Sequence, residues 1–77
     1  MTTEELRAAL KELTGGRDAT FAFCNAREQA SMLLVHNAML VPEESDHMIK
    51  LTDGQSIFII DANSVIWVRI GLNGAQL

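Results

Sequence analysis

The chain is poor in several things that small proteins use to hold a fold or a ligand. It has a single cysteine, Cys24, so no disulfide forms within it and a cysteine-rich metal site is excluded. A lone cysteine fits a reducing compartment, and a cytoplasmic location is the expectation. The N-terminal run Met1-Thr2-Thr3-Glu4-Glu5 is acidic and polar, unlike a secretory signal. The longest uncharged stretch, Gln29 to Pro42, is shorter than the roughly 20 apolar residues of a membrane span. Basic residues are also few: six Lys+Arg stand against ten Asp+Glu, for a net charge of −4. That balance argues against a plain basic surface for nucleic acid, which needs Lys and Arg for phosphate. It still leaves room for a ring, in which one basic side chain per copy becomes a circle of like charge.

Catalytic patterns are equally sparse. No glycine-rich phosphate loop and no Gly-x-Ser-x-Gly elbow is present. Cys24 alternates with phenylalanines along an apolar stretch and reads as a small hydrophobe, not a nucleophile. His47 lies near Glu43, Glu44 and Asp46, but the spacing matches no metal signature and reads as a solvated acidic loop. The expectation is a protein that is no enzyme and carries no metal and no cofactor.

What the sequence does hold is apolar surface. Of 77 residues, 48% are hydrophobic. So short a chain is one domain, and it buries only about 60–65% of the surface that it exposes when unfolded. With disulfides excluded, self-association is the expected support.

Residues 3–13 read as a helix. Thr2 caps it with Glu5 three positions on, and Leu6, Ala9, Leu10 and Leu13 form one stripe, with Gly15-Gly16 as the stop. Residues 19–25 read as a strand, with Phe21 and Phe23 on one face and Ala22 and Cys24 on the other. Asn25 to Gln29 reads as a hairpin loop. Residues 30–41 are apolar throughout, and both strand and helix stay open there, because periodicity does not separate them. Pro42 to Asp46 is an acidic loop. Then come a short strand Met48–Leu51, a hairpin turn at Asp53-Gly54, a strand Ile57–Ile60, a turn Asp61–Ser64 and a strand Val65–Ile70, with 71–77 as a tail.

Ile57, Phe58, Ile59 and Ile60, and likewise Val65, Ile66, Trp67 and Val68, are apolar at consecutive positions, so both faces of each strand call for burial. One helix covers one patch. The remainder invites pairing with another chain at a sheet edge. Trp67 and Arg69 share a strand face and suit either a subunit contact or a nucleic-acid surface. His36-Asn37 interrupts an apolar run, as a satisfied polar pair or as a pair offered to a base.

A helix followed by about five strands, the last two joined by a very short turn, resembles the Sm-like (LSm and Hfq) family. The closest local similarity is Ile60-Asp61-Ala62-Asn63-Ser64-Val65, which resembles the family's second motif, Ile-Arg-Gly followed by two polar residues and Val. Asp61 and Ala62 stand where the family usually has Arg and Gly. The resemblance implies a bent five-stranded SH3-like barrel over about 19–70. It implies a cyclic homo-oligomer of about five to seven subunits, strand four of one pairing with strand five of the next. The interface would draw on Ile57, Phe58, Ile59, Ile60, Val65, Ile66, Trp67, Val68 and Arg69. It further implies single-stranded RNA or DNA bound near the pore, with His36 and Asn37 near the second-to-third strand turn. His36 would stack, while Asn37, Asn63 and Ser64 hydrogen-bond bases and Lys50, Arg27 or Arg69 supply charge. A carboxylate at Asp61 repels phosphate, though it can accept from a base edge. The rival expectation is an acidic structural or protein-interaction oligomer that binds no nucleic acid.

Overall fold

A computed structural model describes residues 1–24 and 30–72. The first element, α1 (Thr3–Leu10), forms because its first turn is doubly capped. The Glu5 backbone N–H donates to Thr2 Oγ1, and the Thr2 backbone N–H donates to Glu5 Oε1, each at 3.0 Å. Leu6 and Leu10 are its buried stripe. The helix ends three residues before the expected Leu13. Leu13 lies against the end of the second strand instead, accepting from Leu40 N at 3.1 Å. Gly15-Gly16 is therefore not a helix stop. Both glycines lie in the first strand, where Gly15 has a φ of 107° that a side chain would resist.

Five strands follow: β1 (Thr14–Cys24), β2 (Ala30–Leu40), β3 (Ile49–Thr52), β4 (Ile57–Ile60) and β5 (Val65–Ile70). The open choice over 30–41 resolves to strand, because β2 pairs with β1 from Ala30 to Met39. A helix there would have left β1 without its main partner. The Asp53-Gly54 turn joins β3 to β4, with Gly54 at φ 95° and Asp53 Oδ1 accepting from Gln55 N at 2.9 Å and Ser56 N at 2.8 Å. A 3-10 turn, Ala62–Ser64, joins β4 to β5. The expected hairpin loop at Asn25–Gln29, with Arg27, and the tail beyond Leu72 lie outside the described residues.

Every neighbouring pair of strands is antiparallel, in the order β4-β3-β2-β1-β5. The chain is thus a mostly-β protein, an N-terminal helix on a five-stranded sheet. Among the described residues the sheet is not closed into a barrel, and β4 and β5 are its edges.

The two faces differ sharply. Leu6, Leu10 and Leu13 join Ala19, Phe21, Val35, Ile49, Leu51, Ile60 and Val65 in one buried cluster on the inner face. The outer face has no such cover among the described residues, and Met32, Leu34, Met39, Ile57, Ile59 and Trp67 are exposed on it. No described helix is long and apolar enough to cross a membrane.

Candidate binding surfaces

The residues singled out from the sequence fall in three polar places and along two strand edges. The first polar place is a bend in β2. The regular β1–β2 register breaks beyond Ala19–Val35, and Asn37 takes a φ of 50°. Asn tolerates that left-handed conformation better than most residues. Asp18 holds the bend: its Oδ1 accepts from Asn37 N at 3.0 Å, and its Oδ2 lies 3.3 Å from His36 Nδ1. The Asn37 N–H is the main cause that keeps the Asp18 carboxyl below the usual carboxylate range, and the His36 contact adds to it. His36 and Asn37 thus sit inside β2 and not at its turn into β3, which runs through residues 41–48. Asp18 has no counterpart among the expected site residues. Nothing in the spacing ties position 18 to position 37, because a register break across two strands makes the contact.

The second place is the β2–β3 loop. Lys50, expected to offer charge to a ligand, is bound to two carboxylates instead. Its Nζ donates to Glu44 Oε1 and, at 2.8 Å, to Asp46 Oδ2. Asp46 first and then Glu44 raise the Lys50 pKa above the ordinary value, and the Lys50 contact is the largest cause of the lowered Asp46 pKa. His47, with a φ of 60°, brings Nδ1 to 2.6 Å from Glu43 Oε2, and this contact chiefly lowers the Glu43 pKa. Arg7 reaches from α1 to donate to Met48 O at 2.9 Å. Glu44 and Asp46 therefore meet Lys50, and Glu43 meets the His47 ring. No group of three or more metal-ligating side chains comes together among the described residues.

The third place is the corner between β4 and β5. Asp61 caps the 3-10 turn: Oδ1 accepts from Asn63 N and Oδ2 accepts from Ser64 Oγ, both at 3.0 Å. A carboxylate where the resembled motif has Arg is thus explained locally, as a cap with a bonded hydroxyl. The Ser64 hydroxyl is used in that contact, whereas the Asn63 side chain is exposed. The Met1 amino group donates to Ala62 O at 3.1 Å and Val65 O at 3.3 Å, tying the start of the chain to this corner. No hydrogen bond or ion pair among the described residues joins one of the three places to another.

The edges carry the strongest signal. On β4, Ile60 is buried and Phe58 partly so, while Ile57 and Ile59 are 56% and 62% exposed. On β5, Val65 is buried and Val68 partly so, while Ile66 and Trp67 are 50% and 39% exposed. Ile66 is the extra residue of a bulge, because Val65 pairs with Phe23 and Trp67 with Ala22. Arg69 is exposed and makes no ion pair among the described residues. Cys24, read as a small hydrophobe and not a nucleophile, is exposed at the end of β1.

The fold and these surfaces define a class, a small β protein with two apolar sheet edges. No protein-family model, curated protein or solved structure matches the chain.

Proposed function

We propose that this protein is a non-catalytic assembly module, an Sm-like helix and five-stranded sheet that works as a cyclic homo-oligomer in the cytoplasm, with β4 of one copy paired to β5 of the next. One observation carries the reading: the two strands that such a ring needs as edges are the sheet's edges, and both expose isoleucines in the single chain. Unpaired apolar edges are templates for a further strand.

The assembled ring acts as a structural or protein-interaction platform. The charge inventory favours this over nucleic acid. Lys50 is held by Glu44 and Asp46, Arg17 by Glu12, and Arg7 by backbone carbonyls. Among the described residues, Lys11 and Arg69 are the cations left without such a bond, on a chain of net charge −4.

Single-stranded RNA or DNA binding is the second reading. Its support is the exposed His36 ring and the exposed Asn63 side chain, which suit stacking and base-edge hydrogen bonds. Fluorescence anisotropy with labelled oligo-U and oligo-A at two salt concentrations separates the readings. No binding at low salt is the expected result. Affinity that falls as salt rises would replace the first reading with the second. Analytical ultracentrifugation tests the assembly itself, and a stable monomer at micromolar concentration refutes it.

A further inference from the structure

Edge pairing involves β4 and β5 but leaves Met32 and Leu34 of the outer face exposed, beside the buried Ala22 and Thr20 of β1. That face is built in rows across β5, β1 and β2. Trp67, Ala22 and Met32 form one row, and Arg69, Thr20 and Leu34 form the next. Asp18 and His36 close the end. Met32 is 62% and Leu34 48% exposed, and both lie on the stretch of β2 that pairs with β1, where their side chains stand on the sheet face and not in the plane of the strand hydrogen bonds. Asp18, Thr20, Met32, Leu34 and Arg69 line one shallow groove there.

We propose that this outer face is a second self-association surface, on which a second copy seats face to face about a two-fold axis. Charge selects that occupant. The rows carry one acid, Asp18, and one unpaired base, Arg69, around an apolar centre, so the patch is neutral and complementary to itself. A two-fold axis near Leu34 sets Arg69 of each copy against Asp18 of the other. Asp53, at the β3–β4 turn, lies near His36 at the end of the patch, and the remaining described acids lie on α1, before β1, in the β2–β3 loop and at the β4–β5 corner. An approach by the acidic loop or by α1 would bring like charges together, whereas this face brings apolar side chains and opposite charges together. Contiguous apolar patches on a sheet face are uncommon in lone soluble domains.

Native mass spectrometry and analytical ultracentrifugation of the unmodified chain and of Met32→Glu/Leu34→Glu test the seating. The unmodified assembly has an even number of copies. The variant has half that mass, with an unchanged far-ultraviolet circular dichroism spectrum, since both side chains are exposed. Should the double variant unfold, Met32→Glu alone gives the same reading. An odd subunit number, or a folded variant of unchanged mass, overturns the proposal and leaves the face to a different protein or to this chain's own end. Ile59→Lys separates it from the edge reading. Dimers there support the face. Monomers overturn it. An assembly of unmodified size overturns the edge pairing alone.

Discussion

The inner and outer faces of one sheet use similar residues to opposite effect. Inside, Phe21, Val35, Ile49, Leu51 and Ile60 are closed over by Leu6, Leu10 and Leu13 of the N-terminal segment. Outside, Met32, Leu34, Ile57, Ile59 and Trp67 are as apolar and remain in water. Strand alternation distributes side chains between faces but does not decide which face is covered. A single short helix covers one. The inner face folds the chain, while the outer face and the edges keep apolar side chains exposed.

The contrast is broken most severely at Phe21, the largest fully buried side chain. Phe21→Ala is expected to cost about 3–5 kcal/mol in urea denaturation, a large part of a small domain's stability. Met32→Ala, on the opposite face, should stay within about 0.5 kcal/mol. Equal losses at the two positions would mean that the faces are not distinct.

Adjacent residues of β4 point to opposite faces of the sheet. Ile60→Ala should lower stability by about 2–5 kcal/mol, because Ile60 is buried against Ile49. Ile59→Lys should leave the fold intact by circular dichroism and reduce the mass of the assembly. Loss of fold in Ile59→Lys would show that its side chain supports the monomer.

A smaller effect is expected at the polar corner. Asp61→Ala removes the cap of the 3-10 turn and the acceptor of Ser64 Oγ, and should cost about 1 kcal/mol. Asp61→Asn keeps an acceptor and should lose less. An equal loss in both would assign the effect to the carboxylate charge and not to the hydrogen bonds.

The mildest test concerns pH at the β2 bend. The folded-state Asp18 pKa is lowered, so its contribution is complete above the unfolded value of about 3.9 and is lost as pH falls through the lower folded value. Asp18→Asn should therefore reduce stability near neutral pH and flatten the acid slope of the unfolding midpoint below about pH 4. An unchanged slope would show that Asp18 takes no part in acid unfolding.

Much of the fold was legible because the signals were local. The Thr2–Glu5 capping box, the Asp53-Gly54 turn and the strands Ile57–Ile60 and Val65–Ile70 stand where the residue pattern put them. Two readings failed through long-range contacts. Leu13 fits the helical stripe but bonds to Leu40, so the helix stops at Leu10 and β1 starts earlier than the expected residue 19. Lys50 looks like a free cation until the 41–48 loop folds Glu44 and Asp46 onto it. Asp18 was invisible for the same reason, since only the β1–β2 register brings it to Asn37.

By itself, then, the sequence determined the order of helix and strands, the absence of disulfides and the presence of more apolar strand surface than one helix can cover. Those follow from neighbours within a few residues and from composition. Only the tertiary structure decided which face is buried, which strands are edges and which charges are spent within the chain. Those depend on register and packing between segments up to tens of residues apart, where chain proximity carries no information.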